Sequence, residues 1–387
     1  MILRYIPGLN YFDEIVFLLI CFAAIVKFLR VPLKLKQNGL ILLAPLFFLI
    51  ITFIGVASNW VSDTYLGEIV VIKDFILTFK YILSLLSSLY LFSNSNNFML
   101  KKNLITVTKF LIVVMFVCYL ISLGVDIGMT GSERFGIPSY KFLYSHYTYL
   151  VFNCVVFLSI LTLDSKKNYI YYFLCLVLMI STLRTKSLAF VVLFIIWKIF
   201  ESKQIEFKKS YLIPAAMIGI GVMLPKVLQY FQWGWGYNLR NGLYVIGFFA
   251  MIETFPLGTG FGSFGTNLSY IYGSRVYEYY GMVGNYQGME IANQYSVPIS
   301  DVYWPSIYAQ FGLFGAICFI FLLFIGFEKI RKIKCKRIMH AVLILFAYLL
   351  IASVAEASFT NDTAILSILF TILILISSQK ERKWMYD

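Results

Sequence analysis

The chain has 387 residues, 60% hydrophobic and 13% charged, where a soluble domain averages about 45–50% apolar and about 25% charged. One water-soluble core cannot hide that much apolar surface at this length, so a soluble globular protein is excluded and an integral membrane protein is expected. The net charge of +13 would point to nucleic acid in a soluble protein, but here the basic residues sit in short clusters between apolar runs, so topology explains them and no nucleic-acid partner is expected.

From Met1 to Asp13 there is no positively charged region leading to a small-residue cleavage site, so insertion is expected to use the first span. Crossing the hydrocarbon core takes about 20 apolar residues. Runs of that kind lie near 12–29, 39–57, 70–92, 104–123, 143–163, 168–183, 187–200, 211–228, 306–327, 339–357 and 363–379. The expected fold is therefore all-α and polytopic, with about 11–12 transmembrane helices and one large outer loop. The pair 168–183 and 187–200 is short, and the turn between them, Leu183-Arg184-Thr185-Lys186, is expected to be recessed. The organisation reads as N-terminal transmembrane helices over 1–228, the outer loop over 229–305, and C-terminal helices with a cytoplasmic tail over 306–387.

Orientation follows from Lys and Arg bias in short loops. Alternate loops carry Arg30, Lys34 and Lys36, then Lys101 and Lys102, then Lys166 and Lys167, then Lys203, Lys208 and Lys209. The strongest cluster runs Lys329, Arg331, Lys332, Lys334, Lys336 and Arg337, and the tail adds Lys380, Arg382 and Lys383. These loops are assigned to the cytoplasm, which puts the C-terminus inside, the N-terminus outside and 229–305 outside. An inner (cytoplasmic) membrane is the expected location, and the resemblance given below implies a bacterial one.

The outer loop begins with an amphipathic helix near 238–254 that bears Arg240. It continues Pro256-Leu257-Gly258-Thr259-Gly260-Phe261-Gly262-Ser263-Phe264-Gly265. Glycine lets backbone amides come close to an anion, so Gly258 and Gly260 are candidates for contact with a lipid phosphate. A tight turn at the membrane face is the simpler reading, and the GxGxxG spacing has no preceding strand to make a dinucleotide site. From Tyr270 to Trp304 aromatics are dense, Tyr303 and Trp304 among them, and rings with a flat apolar face and a hydroxyl suit sugars as well as an interfacial belt. Arg275 is one of only two basic residues between Gln229 and Pro305 and joins the substrate-binding candidates.

Ionisable groups at membrane depth are costly and are functional candidates by default. Lys80 lies in the middle of 70–92, with an ion pair to Asp74 as the structural alternative. Arg184 sits in the recessed turn, where an interfacial anchor is the alternative. Arg240 lies on the amphipathic helix, with a surface ion pair as its alternative. Arginine is the residue best shaped for two-bond phosphate recognition. His146 near the outer end of 143–163 is kept as a substrate-binding candidate, although a lone interfacial histidine is more often structural. The six cysteines show no CxxC spacing, so neither a disulfide framework nor a metal site is expected.

The order of these features resembles bacterial O-antigen and capsular polysaccharide polymerases and O-antigen ligases. That family pattern has an Arg at a helical turn, an Arg-bearing helix, then Pro-Leu-Gly-x-Gly-x-Gly. A polar site residue follows, about eleven positions before a Gly-Leu-x-Gly that opens the next span. Here Leu183-Arg184-Thr185, Arg240, Pro256-Leu257-Gly258-Thr259-Gly260-Phe261-Gly262 and Gly312-Leu313-Phe314-Gly315 stand in that order, and the polar position falls on Asp301. The motifs cover the second half of the chain; the first half is similar by topology alone. Ligases carry His at the position of Asp301, so the departure favours a polymerase.

The resemblance implies a glycosyltransferase that uses no nucleotide sugar; the sequence shows no metal-binding carboxylate cluster, so metal-independent catalysis with no cofactor is expected. Its donor and acceptor are undecaprenyl-diphosphate-linked glycans, and its other partners are membrane lipids, a flippase and a chain-length regulator. It implies Arg184 and Arg240 on the diphosphate, with Lys80 assisting, and Asp301 as the base that takes the acceptor proton. The competing readings are a ligase that transfers glycan to lipid A core, and a flippase or other transporter. A transporter should show internal repeats and charges along the full membrane thickness.

Overall fold

A computed structural model describes residues 12–30, 39–92, 98–134, 136–164, 168–202, 239–283 and 302–377. Where the sequence is continuously apolar, the chain is helical: α1 (Phe12–Arg30), α2 (Gly39–Val61), α3 (Glu68–Phe92), α4 (Phe98–Gly124), α5 (Tyr147–Leu161), α6 (Tyr169–Ser181) and α7 (Thr185–Ser202). After residue 238 come α8 (Leu239–Glu253), the short α9 (Asn267–Ile271) and α10 (Arg275–Tyr279), then α11 (Trp304–Arg331), α12 (Lys336–Ala352) and α13 (Asp362–Ile376). Among the described residues, Leu43–Val61, Leu100–Gly124 and Trp304–Arg331 are long and apolar enough to cross a membrane, and α5, α6 and α13 are shorter apolar helices. Large apolar side chains such as Phe22 of α1, Phe53 of α2 and Phe110 of α4 stand exposed. Water penalises such a surface and hydrocarbon does not, so the mostly helical fold fits a membrane protein. The expected span at 211–228 lies outside the described residues.

The chain divides into two compact units. The first comprises Met1–Leu91, Tyr230–Lys332 and Ala352–Ile368. In it α1 runs parallel to α3. Asp13 at the start of α1 pairs with Lys80, and Lys27 near its end donates to the carbonyls of Tyr90 and Leu91 at 2.8 and 2.9 Å. Lys80 therefore takes Asp13, at the start of a neighbouring helix, and not Asp74 on its own. α2 packs antiparallel on α11, with Phe47 and Phe321 stacked at 5.3 Å.

The second unit comprises Phe92–Gln229, Ile333–Ile351 and Leu369–Asp387. α5 is buried along nearly its whole length, as an all-round apolar helix must be when neighbours surround it. Ser159 of α5 donates to the Ala341 carbonyl of α12 at 2.7 Å. One element departs from the all-α expectation: an antiparallel hairpin of β1 (Thr130–Arg134) and β2 (Ile137–Tyr140), reversing at Gly136 with φ of 73°. An isolated hairpin is marginal in water. This one is held by buried Tyr140, whose hydroxyl donates to the Met115 carbonyl of α4 at 3.0 Å.

Candidate functional site

The glycine-rich segment of the first unit is a joint between helices. α11 is kinked at Gly312, where φ is 61° and ψ is −172°. A break of this kind releases carbonyls from the turn before it. Those of Ala309 and Gln310 accept from the amides of Thr259 and Gly260, both at 2.8 Å. Asn59 of α2 grips the Phe261 backbone at two points, accepting from its amide at 2.9 Å and donating to its carbonyl at 3.0 Å. Asp74 of α3 accepts from the Gly262 amide at 2.9 Å, and the Gly265 amide donates to the Tyr277 hydroxyl at 2.8 Å. The glycines are required by this closeness. A Cβ on Gly258 would lie 2.4 Å from the Gly312 nitrogen, and one on Gly260 would lie 2.5 Å from Asn59. The amides considered for an anion, Gly260 included, are thus committed to internal acceptors.

Beside the joint, still in the first unit, opens a groove of about 490 Å³. Its walls are the end of α2 with Asp63, the end of α8 with Glu253 and Phe255, and α10 with Arg275, Tyr279 and Tyr280. Arg275 pairs with Asp63 at 2.7 Å, both largely exposed. Tyr280 donates to Glu253 at 2.7 Å. Burial, together with that neighbouring carboxylate, holds the Tyr280 phenol above its ordinary range, so it stays an O–H donor. Tyr279 presents its ring to solvent at 76% exposure. A groove of this size, with stacking rings and a mixed set of donors and acceptors, is suited to a carbohydrate.

In the second unit the turn between α6 and α7 gathers cations. Leu183, just before Arg184, has φ of 52°, a conformation a leucine adopts only when its surroundings impose it. The Arg184 guanidinium lies over the Tyr147 ring, 3.9 Å from its centre. Tyr147 shares a hydrogen bond of 3.0 Å with Ser132 of β1, and Gly131 leaves the room its hydroxyl occupies. Arg134 of the same strand reaches the Leu183 carbonyl at 3.5 Å. Lys186, 8% exposed, donates to Thr148 at 3.1 Å, and Thr148 shares a 2.7 Å hydrogen bond with His146. Two arginines and a lysine thus gather at one turn, a concentration of positive charge that suits an anionic ligand.

Each remaining candidate has partners of its own. Lys80 is 1% exposed and spends its charge on Asp13. Arg240 lies half-buried on the first turn of α8, where burial pushes the Tyr244 phenol up to about 12 against the pull of the Arg240 charge. His146 caps α5, its Nδ1 accepting from the Thr148 amide at 3.3 Å. Tyr303, expected to hold a sugar ring, is 1% exposed among Trp304, Phe319 and Phe359, so it cannot stack on a ligand. Trp304 donates to Ser353 at 3.0 Å. Asp301 lies outside the described residues. Sequence reasoning missed Arg134 and Lys186 as site residues. Lys186 stood two positions from Arg184 in the quoted turn, whereas the approach of Arg134 depends on a hairpin that apolar periodicity does not reveal.

These features define a helical membrane protein with a cationic turn in one unit and a tyrosine-lined groove in the other. Comparison with protein-family models, with curated proteins and with solved structures finds no match to this chain.

Proposed function

We propose that the protein polymerises undecaprenyl-diphosphate-linked oligosaccharide repeat units into O-antigen or capsular polysaccharide at the outer face of a bacterial cytoplasmic membrane. The observation that carries the reading is the convergence of Arg134, Arg184 and Lys186 on the α6–α7 turn. When a glycan is transferred from its lipid carrier the polyprenyl diphosphate is the leaving group, so the transfer needs cations aimed at the departing oxygens. In the proposed step the acceptor hydroxyl oxygen bonds to the anomeric carbon of the donor. The anomeric carbon–oxygen bond to the diphosphate breaks with its electron pair on the diphosphate. The hydroxyl proton passes to a base, a role proposed for Asp301. The tyrosine-lined groove is assigned to glycan binding.

The topology belongs to the same proposal: basic clusters inside, the segment 229–305 outside and the C-terminus in the cytoplasm. The test is deletion in the native host with gel analysis of surface glycan. Loss of the ladder with a single repeat still attached supports a polymerase. Total loss of attached glycan points to a ligase, and an unchanged ladder removes both.

A further inference from the structure

A second cavity, of about 550 Å³, lies in the second unit where α6 begins and α7 ends. Its lining combines two kinds of surface. One wall is apolar and outward-facing, with Phe173 and Ile195 both exposed. The other is ionic and carries both signs, with Lys198 and Arg337 beside Asp164 and Glu201. These charges are placed by neighbours. Lys198 lies 2.7 Å from Glu201 and sits over the rings of Trp197 and Tyr172 at 4.6 and 4.8 Å. His340 contacts the other Glu201 oxygen at 3.0 Å. Asp164 is held by Lys109 and by Asn168, each at 3.1 Å.

A purely anionic ligand would meet the two carboxylates, and a purely cationic one would meet the lysine and the arginine. A ligand bearing a phosphate and a primary ammonium a few bonds apart satisfies both pairs. The exposed Phe173 and Ile195 then offer a surface for a hydrocarbon chain, each buried CH₂ contributing about 0.8 kcal/mol. We propose that this cleft is a binding site for a zwitterionic aminophospholipid, with its phosphate at Lys198 and Arg337 and its ammonium at Asp164 and Glu201. Given the topology proposed above, the lipid belongs to the cytoplasmic leaflet; the headgroup chemistry does not depend on that topology or on the polymerase reading.

The test uses the full-length protein, purified in detergent, stripped of lipid and titrated with defined lipids under native mass spectrometry. Phosphatidylethanolamine should be retained in preference to phosphatidylglycerol and phosphatidylcholine of the same chains. The first rival lacks the ammonium, and the second cannot donate hydrogen bonds from it. Lys198→Ala, Arg337→Gln and Asp164→Asn should each weaken that retention at least about threefold, the scale of a partly exposed ion pair. Arg337→Gln and Asp164→Asn preserve shape, so they remain informative if Lys198→Ala folds poorly. Soluble phosphoethanolamine should not compete, because it lacks the chain for the apolar wall. Equal retention of the three lipids, variants that bind like the parent, or competition by the free headgroup would each overturn the proposal.

Discussion

Arg134 and Arg184 reach the same turn from different elements, one on a hairpin strand and one between two helices. If both hold the departing diphosphate, Arg184→Ala and Arg134→Ala should each lower polymer formation by about 10²–10³-fold, the usual cost of removing one preorganised donor to a developing charge. Membrane levels of the protein should not change. Arg184→Lys should recover only part of the loss, because an ammonium cannot make the planar two-bond contact. Full ladders from Arg184→Ala would leave it an anchor stacked on Tyr147. In the groove, Tyr280→Phe removes the donor to Glu253 and keeps the ring, while Tyr279→Ala removes the exposed stacking face. The expected outcome is a higher acceptor KM for Tyr279→Ala, by about tenfold, the scale of one lost aromatic contact. Steady-state kinetics in proteoliposomes checks it, and an unchanged KM would take the groove out of glycan binding. Arg184 was legible in the sequence because a charge at membrane depth demands a reason. The buried packing of Tyr303 was not, since composition cannot tell a stacking ring from a core ring.

At the scale of elements, the glycine motif is a fastening. Its residues were visible as an unusual density of glycine, but what they fasten to was not. The partners Asn59, Asp74 and Gln310 are distant in sequence and carry no local signature. Gly260→Ala combines a side chain at φ of 87° with a Cβ placed 2.5 Å from Asn59. Positive φ and overpacking together should cost about 2–5 kcal/mol. A large drop in the midpoint of thermal unfolding in detergent, with loss of polymer, is expected; a midpoint within a degree or two of the parent would show that the joint is loose. The Gly-Leu-x-Gly motif belongs to the same fastening. The family pattern sets it at the opening of a span; here α11 begins at Trp304, close to the expected start at 306, and Gly312 kinks it from within. Most helices were legible because apolar runs of this length have few alternatives. The hairpin was not, because a polar nine-to-eleven-residue stretch can be loop or strand and only buried Tyr140 decides.

For the whole molecule, the basic clusters predict sidedness. Cys335 lies in the strongest basic loop and serves as a native reporter, and a cysteine introduced at Gly284 probes the outer loop. In intact or outer-permeabilised cells an impermeant thiol reagent should label the introduced cysteine and leave Cys335 unmodified until the membrane is opened. Labelling of Cys335 without Gly284→Cys would invert the topology and with it the assignment of donor and acceptor to the outer face. The parallel course of α1 and α3, joined at Asp13–Lys80 and at Lys27–Tyr90, has the direction that two alternate spans must share, whichever side is out.

The grip of the α2 end on the glycine segment has a consequence for the groove beside it. Ser62 donates to the Gly258 carbonyl at 3.0 Å, Thr64 donates to that of Thr259, and Asn59 holds Phe261 at two points. The α2 end and the glycine segment beside it, which both border the groove, are therefore sewn together. Such a groove behaves as a mould and not as a jaw. If it binds glycan as proposed, it neither closes over a small sugar nor yields to a bulky one, so a chain that fits would be accepted at little entropic cost and one that does not refused at the rim.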